Sequence, residues 1–248
     1  MRLIQLSDLH LGNCPRALVN NFPVYDSFVQ LFNLALRYQP DHLLLTGDLS
    51  NNGDLQSYEL LENILSTADI PVSILYGNHD RPCEVMRHRL IKSITFPNWQ
   101  ILCLDSVKPN AVWGEGRLST AELAWLKQSL LHAEANVLIA LHHHPITFTE
   151  EDLSWLNQIH LENSTELLSL VAEFSQVKGI IFGHIHREVN KQIGCLSVYG
   201  CPATCYQVST VNDDKNCQWS GFRVIDLLPN GKLRTQVVRL PSLFSTPK

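Results

Sequence analysis

Residues able to bind metal ions follow five short apolar runs of the sequence, at the point where each run ends. The motifs are Asp8-Leu-His10 after RLIQLS, Asp48 after HLLLTG, Asn78-His79-Asp80 after SILYG, His142-His143-His144 after NVLIAL, and His184-Ile-His186 after GIIFG. Carboxylate and imidazole ligands suit Mn, Fe or Zn rather than metals that prefer thiolates. In an open α/β sheet, ligands bind outside the carboxyl ends of the strands, so the five motifs predict one shared site.

Each motif also has an ordinary structural interpretation. Asp8 could cap a helix or form a turn, and Gly47-Asp48 could be a simple strand-to-loop turn. The GNHD segment has the composition of a polar turn. His184 and His186, two residues apart, could face the same way on an exposed strand. The five motifs together favour the functional interpretation, because chance does not readily place such residues after five separate strands.

The elements that must position these residues follow an α/β pattern, with short apolar runs alternating with amphipathic stretches. The predicted strands are 2–6, 42–46, 71–76, 99–106, 136–141 and 179–182. Helices are predicted over 24–38, 54–68 and the basic stretch 84–92. Ser119 and Glu122 form a capping box for a further helix that runs through Trp125 to Leu131. Asn163 and Glu166 can cap a last helix that reaches about Phe174.

The sequence beyond about residue 191 changes to short strands separated by turn residues. These predicted strands are 195–200, 203–210, 221–228 and 232–240. Asn230-Gly231, between the last two, predicts a hairpin. We expect a single domain over residues 1–248, with two sheets packed face to face, helices outside, and a second sheet supplied mainly by the C-terminal hairpins.

Composition excludes several classes of partner. The net charge of −5 over 248 residues offers no broad basic surface for a nucleic-acid backbone. The seven cysteines lack paired metal spacings, so we expect reduced thiols that act as small core residues. The N-terminal segment lacks a signal-peptide core, and no apolar run reaches about 18 residues. The sequence therefore predicts a cytoplasmic protein without a membrane or nucleic-acid partner.

The order Asp-x-His, Gly-Asp, Gly-Asn-His-Asp, His and Gly-His-x-His resembles the calcineurin-like metallophosphoesterase superfamily. The segments SDLHL, TGDLS, GNHD, LHHHP, SWLNQ, GHIHRE and PATCYQ resemble more closely the bacterial class III cyclic-nucleotide phosphodiesterases, the group that hydrolyses cyclic AMP. The resemblance implies a four-layer α/β/β/α sandwich of two mixed sheets, the metallo-dependent phosphatase fold. Purple acid phosphatases carry a tyrosine at the position of Asn51, so that class is disfavoured.

The resemblance also implies two divalent metal ions, Fe2+ or Mn2+, with Zn2+ possible. One ion would be held by Asp8, His10, Asp48 and His186, and the other by Asp48, Asn78, His142 and His184, with Asp48 bridging. Because only two carboxylates serve two divalent ions, the site would stay positive and attract a phosphodiester. His143 and His144 are expected to be loop neighbours that support orientation or are solvated.

The implied reaction is hydrolysis of 3′,5′-cyclic AMP to 5′-AMP by a hydroxide that bridges the two ions. The residues expected to meet this small-molecule substrate are His10, Asp48, Asn78, His79, His142 and His186. His79 would stabilise the phosphoryl group and the leaving oxygen. Asp80 would orient His79, or else cap the segment that follows it.

Two other functions are compatible with the motifs. The enzyme could act on another small phosphoester, such as a glycerophosphodiester. A different class is a scaffold that keeps the fold and binds a protein partner without catalysis. Such a scaffold would be expected to lose ligands or His79, and this sequence keeps all of them.

Overall fold

The computed structural model describes residues 1–210 and 212–241. Its helices and strands, in chain order, are β1 (Arg2–Leu6), α1 (Val24–Arg37), β2 (His42–Thr46), α2 (Leu55–Leu65), β3 (Val72–Leu75), β4 (Ser93–Phe96), β5 (Trp99–Cys103), α3 (Thr120–His132), β6 (Asn136–Ala140), α4 (Ser164–Ala172), β7 (Val177–Phe182), β8 (Val189–Ile193), β9 (Leu196–Gly200), β10 (Gly221–Leu227) and β11 (Leu233–Arg239). Short 3-10 helices cover Glu84–Arg89, Glu151–Gln158 and Lys215–Gln218. The predicted helix over 84–92 is thus a 3-10 helix.

The strands form two mixed sheets, which confirms the predicted α/β class. Across the described residues, the order is β11-β10-β1-β2-β3 in the first sheet and β4-β5-β6-β7-β9-β8 in the second. β1, β2 and β3 are parallel, and so are β5, β6, β7 and β9. Antiparallel strands flank both parallel sets, because β10 pairs with β1 and β4 with β5.

Three apolar clusters separate four layers. Phe28 of α1 and Leu61 of α2 pack against alternate residues of the first sheet, among them Leu43. Helices α3 and α4 pack in the same way against the outer face of the second sheet. Between the sheets, Leu44 of β2 packs with residues such as Leu138 of β6. The α/β/β/α sandwich is therefore confirmed, and the continuous apolar runs of the central strands reflect burial on both faces.

The prediction that the C-terminal hairpins supply most of the second sheet is wrong. The hairpin at Asn230-Gly231 does form, but its strand β10 pairs with β1, with Ile4 opposite Val224. Strands β4 to β9 make the second sheet instead. β10 is buried along almost its whole length, which suits a position inside a sheet with strands on both sides. The predicted strand 203–210 is irregular backbone.

The two predicted helix caps have different outcomes. Ser119 caps α3 as expected, since its hydroxyl accepts a hydrogen bond of 3.0 Å from the Glu122 amide. Asn163 precedes α4 but makes no side-chain cap. Its side chain instead accepts from the Leu118 amide and donates to the Leu118 carbonyl, both at 3.0 Å. Asn163 therefore links the segment before α4 to the segment before α3 instead of capping α4 with its side chain.

Two expectations from composition can be compared with the structure. The seven cysteines are free thiols, which confirms the expected reduced state. Cys14 and Cys195 are exposed, however, so the expectation that the thiols are core residues holds only for part of the set, such as Cys103, Cys201 and Cys205. No helix within the described part of the chain is both long and apolar enough to cross a membrane.

A buried arginine connects the two sheets. The Arg223 side chain on β10 is fully buried, and its guanidinium donates to the Gly200 carbonyl at 2.8 Å and the Val189 carbonyl at 3.0 Å. It also donates to Asn190 Oδ1 and Thr235 Oγ1, both at 3.0 Å. A buried cation without such acceptors would be strongly unfavourable, so these bonds fix β10 against the end of β9.

We expect Arg223→Leu to lower the free energy of unfolding by about 2–4 kcal/mol, because the buried Gly200 carbonyl and three partly buried acceptors lose their donor. Arg234→Leu on the neighbouring strand is the matched control, since Arg234 is exposed. Its effect should stay within about 0.5 kcal/mol. Urea unfolding followed by circular dichroism measures both. Equal stability of the two variants would contradict a structural role for the guanidinium.

Candidate metal centre

The loops after β1 and β2 run side by side and place the first three candidate ligands. The amides of Leu9 and His10 donate to the Asp48 carbonyl at 2.8 and 2.9 Å, and the Leu11 amide donates to the Leu49 carbonyl at 3.0 Å. Leu9, Leu11 and Leu49 are buried in the core. Apolar side chains therefore anchor the backbone on one side, and the polar side chains between them reach the site.

All five motifs meet at one place, but they come from two sheets. Asp8, Asp48 and Asn78 follow strands of the first sheet, whereas His142 and His184 follow strands of the second. The Asp8 carboxylate accepts from the His184 amide at 2.9 and 3.0 Å and so joins the two sheets. The expectation of a single sheet edge is wrong in detail, because the site lies where the carboxyl ends of two packed sheets meet.

The candidate ligand atoms form two groups that share Asp48. In the first group, His186 Nε2 lies 3.1 Å from His10 Nε2 and 3.6 Å from Asp8 Oδ1. In the second group, His142 Nε2 lies 3.2 Å from both Asn78 Oδ1 and His184 Nδ1. Asp48 Oδ2 lies 3.4 Å from His10 Nε2 and 3.4 Å from His142 Nε2. The Asp48 carboxylate is thus placed between the two groups.

Oxygen acceptors outside the centre fix the tautomers of its histidines. The contacts are His142 Nδ1 with the Thr46 carbonyl at 2.7 Å, His186 Nδ1 with the Tyr206 carbonyl at 2.8 Å, His184 Nε2 with the Ile159 carbonyl at 2.9 Å, and His10 Nδ1 with Asn51 Oδ1 at 3.3 Å. Because an oxygen of this kind only accepts, the ring nitrogen facing it carries the hydrogen. The other nitrogen of each ring therefore faces the centre, where it can bind a metal ion once it carries no proton.

The backbone at five candidate ligands is left-handed. The φ angles are 54° at Asp8, 48° at His10, 50° at Asp48, 71° at His184 and 47° at His186. Residues other than glycine adopt this conformation rarely, and such strain clusters at functional sites. Each such residue costs about 1–3 kcal/mol. The fold thus holds these residues in an unfavourable conformation that turns their side chains toward one point.

Close packing around the centre explains one glycine of the motifs. A Cβ atom on Gly77 would overlap Asp48 Oδ1, the Asp48 amide nitrogen and the His142 ring. Alanine at this position would therefore displace the shared carboxylate. Glycine is needed at this position because the Asp48 carboxylate and the His142 ring lie so close to its backbone, and not only because the chain turns there.

Burial and charge together set the protonation states. Burial opposes the Asp48 charge, but the charge of His142 and its hydrogen bond outweigh it and hold the Asp48 pKa well below its ordinary value. Burial likewise opposes charging of His142, yet Asp48 raises the His142 pKa to about 9. Burial lowers the pKa of His10 to about 3 and that of His184 well below its usual value. His10 and His184 are therefore neutral, the form that binds metals.

The structure separates His79 from Asp80. His79 is exposed, and its Nδ1 donates to the Asn51 carbonyl at 2.8 Å. Asp80 is buried and accepts from the amides of Leu49 and Gly77 and from the Tyr58 hydroxyl. The prediction that Asp80 orients the His79 ring is therefore wrong. The Asn51 carbonyl, rather than the Asp80 carboxylate, contacts the ring.

Asp80 instead ties together the two loops that carry Asp48 and Asn78. Besides the Leu49 and Gly77 amides, its carboxylate accepts from the Ser50 amide at 3.0 Å. Burial raises the pKa of Asp80 to about 6, and the nearby Asp48 charge adds to that effect. The alternative expectation, that Asp80 caps the segment that follows it, is not met either, because its carboxylate accepts only from residues that precede it among those described.

The three consecutive histidines have different surroundings. His142 lies in the centre, whereas His143 Nδ1 contacts Ser106 Oγ at 2.8 Å. The His144 ring stacks against His184, with centroids 5.7 Å apart. Neither ring nitrogen of His144 has a hydrogen-bond partner within the described residues. Both neighbours are fully buried, so the expectation that they are solvated is wrong, and they pack behind the centre.

Several residues of the site were missing from the sequence interpretation. The carbonyls of Thr46, Ile159 and Tyr206 left no signal, because every residue carries a carbonyl. Cys205 Sγ also lies 3.5 Å from His186 Nδ1. Burial raises the pKa of that thiol well above its ordinary value, so in the absence of a metal ion it stays protonated.

Comparisons with known proteins show what this chain is similar to. A family model described as calcineurin-like phosphoesterase matches residues 1–188. A 3′,5′-cyclic-nucleotide phosphodiesterase from Nostoc sp. is 33% identical, with 99% of this chain and 94% of that protein covered. The 3′,5′-cyclic adenosine monophosphate phosphodiesterase CpdA of Pseudomonas aeruginosa is 31% identical, with coverages of 96% and 89%. A dimetal phosphatase structure from Danio rerio shares the fold, with a TM-score of 0.65, 14% identity and coverages of 90% and 91%.

We expect His142→Ala to lower the metal content of the purified protein, because it removes a nitrogen directed into the centre. His144→Leu is the matched control and should leave the metal content unchanged. It should also leave the stability unchanged, since the His144 nitrogens have no partner to lose. Elemental analysis after gel filtration measures the metal. An equal loss in both variants would contradict the distinction between the two histidines.

Proposed function

The chain belongs to the calcineurin-like phosphoesterase family, and we propose that it hydrolyses 3′,5′-cyclic AMP to 5′-AMP at a binuclear metal centre. Membership of this family confirms the resemblance to calcineurin-like metallophosphoesterases that the five motifs indicate. The observation that carries the proposal is the position of Asp48 Oδ2, 3.4 Å from a ring nitrogen of each ligand group. We also propose that residues 1–248 act as one domain, because the centre takes side chains from both sheets.

The residues fit two divalent ions. One would be held by Asp8, His10, Asp48 and His186, and the other by Asp48, Asn78, His142 and His184. The contacts of the imidazoles support this assignment, because an oxygen engages the outer ring nitrogen of four of these histidines and leaves the other nitrogen facing the centre. The oxygen and imidazole donors suit Fe2+ or Mn2+, and they also suit Zn2+. When bound, such ions supply an activated water and neutralise charge on the phosphoryl oxygens.

His79 is the residue that we propose acts on the leaving oxygen. Its Nδ1 is engaged by the Asn51 carbonyl, so its Nε2 is the nitrogen that can meet the substrate. The His79 ring lies 4.7 Å from the His10 ring, at the exposed side of the centre. Opening the cyclic ester leaves an alkoxide on the sugar that needs a proton or a hydrogen bond. His79 would supply it, and the residues expected around the phosphate are His10, Asp48, Asn78, His79, His142 and His186.

The names of the relatives support a cyclic nucleotide as the substrate. The proteins from Nostoc sp. and Pseudomonas aeruginosa are both named 3′,5′-cyclic phosphodiesterases, and this chain aligns with nearly their whole length. The centre has only two carboxylates, Asp8 and Asp48, for two divalent ions. Its net charge with metals bound therefore favours an anionic phosphodiester.

A substrate panel tests the proposed reaction. The Mn- or Fe-loaded protein should show a larger kcat/KM for 3′,5′-cyclic AMP than for 2′,3′-cyclic AMP or glycerophosphocholine, with 5′-AMP as the product. Chelation should abolish turnover, and re-addition of metal should restore it. Activity that survives chelation would overturn the metal mechanism. A larger kcat/KM for the glycerophosphodiester would transfer the assignment to that substrate class.

We expect His79→Ala to reduce kcat about 100-fold or more, because general acid help to a leaving group is typically of that size. The metal content should not change, since His79 contributes no atom to either proposed ligand set. His132→Ala on α3 is the control, because His132 is exposed and belongs to none of the five motifs. Initial rates with 3′,5′-cyclic AMP and elemental analysis decide the outcome. An unchanged kcat would remove His79 from the mechanism.

A further inference from the structure

The loop between β5 and α3 packs directly against the candidate metal centre. Gly114 in this loop has a φ of 90°, and a Cβ there would lie 2.9 Å from Asn78 Nδ2. The backbone of the loop thus contacts the side chain of a proposed ligand. Whatever occupies the space beside Asn78 must also meet residues 108–114.

A cleft of about 410 Å³ opens at this contact. Asn78 and His79 line one side, and Lys108, Asn110 and Trp113 line the other. Ligand pockets commonly have volumes of about 300–1,000 Å³. A phosphodiester bound at the centre would therefore have room for its organic substituent next to His79.

A buried carboxylate fixes the shape of the loop. Glu115 accepts from the Val112 amide at 3.1 Å, from the Trp113 amide at 2.8 Å and from Lys108 Nζ at 2.7 Å. Lys108 Nζ also donates to Glu162 at 2.8 Å, so two carboxylates neutralise its charge. The position of Trp113 is therefore set before any ligand binds, and the cleft offers no unpaired cation for a second phosphate.

Trp113 is unusually exposed for a tryptophan. Its exposed fraction is 70%, whereas Trp99 is fully buried. A large apolar ring left in water at the edge of a cleft commonly marks a binding surface. Indole rings stack on nucleobases whatever the base, and the neutral cleft suits an uncharged heterocycle better than an anion.

Tyr206, the other aromatic residue near the centre, is less suitable as a platform. Its ring lies 4.9 Å from the His186 ring and is only partly exposed. It therefore packs against a proposed ligand and lies on the side of the centre formed by His10 and His186. The Trp113 indole is not engaged in this way and lies on the side formed by Asn78.

We propose that Trp113 is the platform on which the purine base of the substrate stacks, with the Asn110 amide beside it to contact the edge of the base. This inference rests on the proposed function, because the phosphate of the same molecule must lie at the metal centre. It adds a nucleobase subsite formed by the loop 108–114. Binding of the base there would place the sugar next to His79.

The experiment compares 3′,5′-cyclic AMP with the 3′,5′-cyclic phosphate of 1-deoxyribose, which has no base. For Trp113→Ala, we expect the KM for cyclic AMP to rise about 5- to 150-fold, the range given by base–aromatic stacking. The kcat for cyclic AMP and both constants for the base-free ester should not change. Trp113→Phe should restore most of the affinity. Trp155→Ala, at another exposed tryptophan outside the cleft, should behave as wild type.

A binding measurement supplies a readout that does not need turnover. The product 5′-AMP should quench tryptophan fluorescence in the metal-loaded wild type and in Trp155→Phe, but not in Trp113→Phe. Equal losses on both substrates would overturn the subsite, because the loop would then act through the metal centre. Unchanged constants for Trp113→Ala would place the base elsewhere. A wild type without activity on cyclic AMP overturns the proposed function itself, which separates the two failures.

Discussion

The buried charge of Asp48 is the constraint on which the arrangement of this molecule depends. Only 2% of the residue is exposed, and an isolated carboxylate in such a place is strongly unfavourable. The His79 amide donates to Asp48 Oδ1 at 2.9 Å, and imidazoles from the loops after β1 and β6 lie near Asp48 Oδ2. These groups come from both sheets. Packing the sheets together and compensating this charge are therefore a single requirement.

Much of the fold followed from local patterns. β1 and β2 begin and end at the predicted residues, because a short apolar run buried on both faces has few alternatives. The sheet to which a hairpin belongs could not be read in the same way. The sequence of β10 records that it is buried, but the choice of β1 as its neighbour depends on the whole topology. The Asn230-Gly231 turn was local and was predicted correctly.

The candidate site shows the same division between local and tertiary signals. The residue types at the strand ends and their order along the chain indicated which side chains would meet. Their partners were less accessible, because a polar residue such as Asp80 or Asn163 has several possible partners and its own neighbours do not decide among them. Asp80 binds the backbone of two loops, and Asn163 binds Leu118. His144 was misjudged for a related reason, since burial behind a metal centre has no periodic pattern.

The acceptors that hold the imidazoles have a consequence for how such proteins diverge. Three of the four acceptors are main-chain carbonyls, those of Thr46, Ile159 and Tyr206. Any amino acid at these positions supplies the same oxygen, provided that the backbone keeps its course. Mutational drift can therefore change these side chains while each ring keeps its proton on the same nitrogen. The orientation of the candidate ligands thus depends on the course of the backbone at these positions rather than on the side chains that they carry.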